Sequence, residues 1–146
     1  MSTIEDVERW KFVPSEDKSL EFKEAKQQYD KQKLFQYCTA IANERGGKLV
    51  LGLTDVPPRQ VVGTNAFGNI VSITEQIYDK LGFRVDVEEI AHPEGRVVVF
   101  EIPSRPIGHP HTLEGTFWMR SGSQLVAMSP ERLRTIFEEG AGDWSM

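Results

Sequence analysis

The chain has 146 residues and a mass of 16.6 kDa, enough for one sheet-and-helix core and too few for two. A lone cysteine, Cys38, excludes an internal disulfide and any zinc site built on thiolate pairs. The net charge of −5 weighs against a nonspecific nucleic-acid coat, whose binding rests on counterion release. The charge is uneven: residues 1–60 hold 10 Lys/Arg against 10 Asp/Glu, and the remainder holds 7 against 12. A surface facing an anion is therefore expected to draw on the first part.

In chain order, Ile4 to Phe12 reads as a short helix with Ile4, Val7 and Trp10 on one side, stopped by Pro14. Ser19 to Lys23 alternates apolar Leu20 and Phe22 with Glu21 and Lys23, the period of a strand with two unlike faces. Asp30 caps a helix over Lys31 to Arg45, with Leu34, Phe35, Cys38, Ile41 and Ala42 at helical spacing and Gly46 as its stop. Lys48 to Thr54 is a nearly continuous apolar run, expected as a central strand buried on both faces. A second helix spans Asn69 to Leu81, with Gly82 behind it.

Phe83 to Val87 and Arg96 to Ile102 read as a hairpin around His-Pro-Glu-Gly. Thr116 to Arg120 and Gln124 to Met128 form another around Ser-Gly-Ser. Ser129-Pro130 then starts a last helix with Leu133, Ile136 and Phe137 on its apolar side. The predicted order is β-α-β-α-β-β-β-β-α, an α+β fold with a mixed sheet packed by helices. No signal-peptide pattern and no apolar run of membrane-spanning length occur, so a cytoplasmic, reducing location is expected.

Nucleotide-binding signatures are missing: there is no G-x-x-x-x-G-K-[ST], no G-x-G-x-x-G and no H-E-x-x-H. Gly46-Gly47 lies between a helix C-terminus and a strand, the wrong polarity for gripping phosphate. The domain is thus not expected to bind ATP. Glu16, Glu21 and Asp55, with Lys23 two residues beyond Glu21, offer oxygen ligands for Mg²⁺ or Mn²⁺ and an amine for a phosphodiester transition state. The alternative is a solvent-facing Glu21–Lys23 ion pair and an Asp55 that starts a turn. His109 and His111 lack a third ligand at sensible spacing, and Cys38 lies on an apolar stripe. Of Phe117 and Trp118, at most one faces the core, leaving the other to stack on a base or to pack at a contact.

These residues carry a family resemblance. Ser15 to Lys23, then Ala40-Ile41-Ala42-Asn43 with Gly46-Gly47-Lys48-Leu49-Val50-Leu51-Gly52-Leu53-Thr54-Asp55, then Val62-Gly63 and Arg120-Ser121-Gly122-Ser123, resemble the Schlafen AlbA-type (AlbA_2) domain. The resemblance covers residues 15 to 139. It leaves 1–14 as an N-terminal extension and 140–146 as the start of a linker to a further C-terminal region. It implies a nucleic-acid-binding domain, in bacteria the N-terminal part of larger proteins described as transcriptional regulators or ATP-binding proteins. In the vertebrate branch, similar domains cut transfer and ribosomal RNA with two glutamates and one aspartate that match Glu16, Glu21 and Asp55. Those nucleases use a duplicated pair of domains, so a single copy points to a homodimer if it is to act likewise.

Three functions follow as expectations. The first is a regulatory nucleic-acid-binding module, for RNA or DNA, with Lys18, Lys23, Lys48, Arg120, Ser121 and Ser123 on its binding face; Arg120 has a salt bridge as its alternative role. The second is an endoribonuclease using Mg²⁺ or Mn²⁺ on Glu16, Glu21 and Asp55, with Lys23 assisting. The third is a protein-interaction or dimerisation module attached to an ATPase.

Overall fold

A computed structural model describes residues 1–15, 17 and 19–141. Helix α1 (Ile4–Trp10) opens with a capping box in which Thr3 and Asp6 satisfy each other's backbone N–H groups. Then follow β1 (Leu20–Lys23), α2 (Lys31–Asn43), β2 (Gly47–Leu51), α3 (Ile70–Leu81), β3 (Asp86–His92) and β4 (Gly95–Ile102). The hairpin β5 (Trp118–Ser121) and β6 (Gln124–Ala127) and the helix α4 (Pro130–Ala141) complete the order, which is the predicted α+β succession after α1.

The four-stranded sheet runs β1-β2-β4-β3, with β1 parallel to β2 and the other pairs antiparallel; β5 and β6 form a separate two-stranded sheet. Strand β2 is central, as its apolar run predicts, and both its faces are covered. Leu49 and Leu51 join Leu34, Cys38, Ile41, Ile73, Ile77 and Phe100 in the core under α2 and α3. Val50 joins Val7, Trp10, Phe22, Val97 and Val99 in a second core under α1. Burial pushes the Cys38 thiol well above its ordinary value, which fits a core side chain and not a nucleophile.

Four expectations are corrected. Ile4 is exposed, so only Val7 and Trp10 of the α1 stripe are buried. Helix α2 stops at Asn43, because Arg45 is left-handed (φ 78°) and the Gly46 N–H reaches back to the Ile41 carbonyl. Strand β3 begins at Asp86 and runs to the turn, where His92 pairs with Gly95. Its polar residues are used by the N-terminal segment, since Glu88 accepts from the Ser2 N–H at 2.8 Å and His92 bonds Glu8 at 2.8 Å. On α4, Ile136 is buried but Phe137 is exposed, its ring edge-on to Phe117.

The Gly46-Gly47 turn is fixed by crowding. A Cβ on Gly46 (φ 85°) would lie 2.8 Å from the Ile102 carbonyl oxygen, and one on Gly47 would lie 2.4 Å from that of Ser19. The close approach lets β2 enter the sheet directly beside β1. Among the described residues no helix is long and apolar enough to cross a membrane.

Candidate nucleic-acid interface

Strand β1 presents Phe22 to the core under α1, so Glu21 and Lys23 point to the opposite side, toward α2 and the β5–β6 hairpin. Glu21 is buried at 5% exposure and not a surface ion-pair partner. Its Oε1 accepts from the Arg120 guanidinium at 3.0 Å, and its Oε2 lies 3.5 Å from Lys23 Nζ. Burial raises the Glu21 carboxyl above its ordinary value, and Arg120 and Lys23 only partly offset this.

Arg120 is buried within β5 and not offered at the hairpin tip. Besides Glu21 it donates to Glu44 Oε2 at 2.7 Å and to the Leu20 carbonyl at 3.3 Å. The salt-bridge reading of Arg120 describes its surroundings. The side chain ties the hairpin to the end of α2 and to β1 in one buried network. Tyr37 adds to this bracing, donating its hydroxyl to the Ser123 carbonyl at 2.6 Å while its ring lies under the Lys23 ammonium. For Lys23, burial pulls the ammonium down, but Tyr37, Glu21 and Asp55 outweigh it and leave the group raised.

Asn43 holds the other end of this wall. Buried at 1% exposure, its amide donates to the His111 and Trp118 carbonyls and accepts from the His111 N–H. Its motif position is thus explained by satisfied backbone groups. His111 itself stacks on Phe83.

Between β1, the end of α2, the hairpin tip and α4 lies an open cleft of about 1030 Å³. Glu21, Asp55, Arg120, Gly122 and Ser123 are among the residues that line it. Lys23 does not line it and is packed over Tyr37; Ser121 is exposed on the hairpin beside it. Lys48 lies elsewhere, bordering a pocket beside α1 and facing Glu101 at 3.5 Å, so it does not join the same face. Glu16 and Lys18 lie outside the described residues, as does Trp144.

Sequence reasoning missed most of the basic groups. The cleft is lined by Arg45, Arg59, Arg105, Arg120 and Arg132 against Asp17, Glu21, Glu44, Asp55 and Glu139. Among the described residues, five arginines stand against five acids in its lining, on a chain of net charge −5. The arginines come from five separate segments, and no local pattern connects them. Arg105 and Glu139 form a two-pronged pair at 2.7 and 2.9 Å that fastens α4 to the cleft. The Arg105 bond, followed by the Gly108 N–H, holds the Glu139 carboxyl down to about 2.

That pair has a readable pH signature. A carboxyl held low in the folded state contributes stability above its ordinary value of 4.5 and loses it as pH falls toward 2. The melting-temperature gap between the native chain and Glu139→Gln is expected to be widest near neutral pH and to close over that window. A gap that stays constant on acidification would count against the pair.

Two groups were tested as cation sites. Both Glu21 oxygens already face an arginine or a lysine, so the described residues do not fit a divalent ion at Glu21, and no step is derived through one. Glu8, His92 and Glu94 place ligand atoms within 4.8 Å of one another. Lys11 Nζ sits 2.9 Å from Glu8 and 3.1 Å from Glu94, filling the cation's place. The His92 Nδ1 accepts from the Glu94 N–H, leaving Nε2 to donate to Glu8. This cluster is a staple between α1 and the β3–β4 turn.

The family model Schlafen, AlbA_2 matches residues 16–129, most of the chain. The chain belongs to the Schlafen AlbA_2 family. No curated protein matches the sequence. Among solved structures, this AlbA_2 domain is similar to the N-terminal domain of a RecG-related protein from Nitrosomonas europaea, determined in solution. The TM-score is 0.61 at 18% identity, over 88% of this chain and 92% of that one. It is also similar to the crystal structure of the DIP2311 protein from Corynebacterium diphtheriae, with a TM-score of 0.60 and 19% identity over 76% of this chain. The AlbA_2 domain spans only a quarter of the Corynebacterium chain, 25%. These likenesses show a shared fold.

Proposed function

We propose that this AlbA_2 domain is a regulatory nucleic-acid-binding module and that the arginine-lined cleft is where the strand lies. The observation that carries this reading is a cleft whose described lining sets five arginines against five acids on an otherwise acidic chain, since phosphate binding needs a place where negative field is relieved. At the rim, Arg45 is 81% exposed, and Arg132 is exposed on α4. Arg45 reaches Glu139 only at 4.0 Å, so both side chains can turn to a phosphate backbone, with the exposed Ser121, Gly122 and Ser123 of the hairpin tip beside them. Family membership supports the same reading, and the name of the Nitrosomonas neighbour relates that protein to RecG.

Arg45 adds a further mark. It holds a left-handed backbone, costly for any residue with a Cβ, at the position where the cleft rim leaves α2. Arg45→Gly is expected to raise the melting temperature by about 2 °C or leave it unchanged, as backbone strain is relieved. The same variant is expected to bind a single-stranded oligonucleotide more weakly. Equal or tighter binding would remove Arg45 from the interface.

The test of the proposal is retention of end-labelled transfer RNA and single-stranded DNA by the purified domain across a salt series, in Mn²⁺ and in EDTA. Binding that weakens linearly in log–log form with salt supports the module. Product bands that need Mn²⁺ would replace it with the endoribonuclease reading. No binding at low salt would leave partner recruitment.

A further inference from the structure

Arg59 is absent from every sequence-based expectation, yet it is the most buried arginine lining the cleft. It is 3% exposed. Its guanidinium lies 3.9 Å above the Phe22 ring, and its NH1 donates to the Trp10 carbonyl at 3.0 Å and to that of Val13 at 2.5 Å. Its backbone N–H is held by the Lys11 carbonyl. The loop that carries it is closed by two bonds between Thr54 and Gln60. Two carbonyls, one aromatic face and a braced loop therefore fix the plane of this group before any ligand arrives.

Nε and the second terminal nitrogen make no hydrogen bond. Among the described residues, three buried side-chain atoms have no hydrogen-bond partner, Tyr29 Oη, Trp118 Nε1 and Arg59 Nε, and of these residues Arg59 alone lines the cleft. An unmade bond to a buried guanidinium N–H is costly, so the position is poised to accept an anion. The nearby acids do not close it. Asp17 Oδ1 accepts from both the Ser19 N–H and hydroxyl, and Asp55 is exposed. Burial pulls the Arg59 guanidinium down from its ordinary value, and Asp55, Asp17 and Glu21 offset this only in part, so its charge is under-compensated.

We propose that Arg59 is the phosphate anchor of the cleft, the unpaired edge of its guanidinium donating to a phosphodiester oxygen of a single-stranded nucleic acid through the second terminal nitrogen, with the adjoining Nε–H as reporter. The assignment rests on the nucleic-acid reading of the cleft and adds the residue and the strand state. Recession decides the strand state: Arg59 is 3% exposed, and the flexible backbone of a single strand can be lowered to a recessed side chain where the stiff outer surface of a duplex cannot. Arginine suits the task because its planar fork keeps two bonds to carbonyls through one terminal nitrogen while the N–H groups of its other edge stay unpaired.

The test follows the Arg59 Nε–H resonance by ¹H–¹⁵N NMR in the native domain, together with the backbone amides of Gly122 and Ser123. Inorganic phosphate, a single-stranded uridine decanucleotide and an RNA duplex of equal length are titrated in turn. A saturable shift of Nε–H with phosphate and with the decanucleotide, and none with the duplex, is the expected result. Arg59→Lys, which keeps the charge but not the fork, is expected to bind the decanucleotide about tenfold more weakly.

Hairpin amides that shift with the decanucleotide while Nε–H does not would overturn the anchor and leave the nucleic-acid reading intact. A duplex that shifts Nε–H equally would overturn the single-strand assignment, and a response to phosphate alone would reduce the site to an ion pocket. No shift anywhere would overturn both readings. The resonance is read in the native chain, so the outcome does not depend on whether the lysine variant folds.

Discussion

Replacing Arg120 with methionine is expected to destabilise the domain by about 3–5 kcal/mol at neutral pH, a melting-temperature drop on the order of 10 °C. Arg120 is the positive centre between Glu21 and Glu44, whose side chains are 5% and 13% exposed. Removing it leaves carboxylates in a low-dielectric site without their main partner, which costs more than the pair contributed. The pH dependence carries the sign. A buried acid whose folded value is raised takes up its proton more readily in the folded state, so stability falls as pH rises from its ordinary 4.5 through the raised value.

In the native chain Arg120 and Lys23 limit that fall. Without Arg120 the window widens, so the deficit of the variant is largest near neutral pH and shrinks as Glu21 becomes a neutral acid. Adding Glu21→Met to Arg120→Met should recover part of the loss, because an apolar side chain needs no counter-charge. Thermal melts of the three proteins at several pH values check this. A loss under about 1 kcal/mol, with native pH dependence, would mean that the network is solvated and not buried.

Reversing the rim charges, Arg45→Glu with Arg132→Glu, is expected to weaken single-strand binding by on the order of tenfold at low salt and to lower the log–log salt slope by about 1.4, two phosphate contacts' worth. Both side chains are exposed; Arg132 stands outside the Arg120 and Arg105 networks and Arg45 reaches Glu139 only at 4.0 Å, so the melting temperature should fall by no more than a few degrees. An unchanged slope would place the strand elsewhere on the domain. Binding that tightens would mean the rim is read by a cationic partner, in keeping with a protein-interaction role.

Much of the fold was legible because local rules and global packing agree. The apolar run through Leu49, Val50 and Leu51 could only be a strand covered on both sides, and α1 on one face with α2 and α3 on the other supply that cover. Caps at Asp30 and Asn69 mark where α2 and α3 begin. Strand β3 escaped because its inward polar residues, Glu88 and His92, are stabilised by Ser2 and Glu8, more than eighty residues away. A strand whose pattern is completed by a distant helix has no local signature.

The sequence by itself determined the element order, the family, the presence of Glu21, Lys23 and Asp55 in one motif set, and the backbone role of Gly46-Gly47. Only the tertiary structure decided what those charges do. Alternation in β1 shows that Glu21 and Lys23 share a face but not whether that face meets water, and the hairpin that buries Glu21 with Arg120 arrives about a hundred residues later. It likewise took the folded chain to gather Arg45, Arg59, Arg105 and Arg132 at one cleft. An isolated arginine in sequence looks solvated, and its partners, its burial and its unmade bonds are properties of contacts between segments.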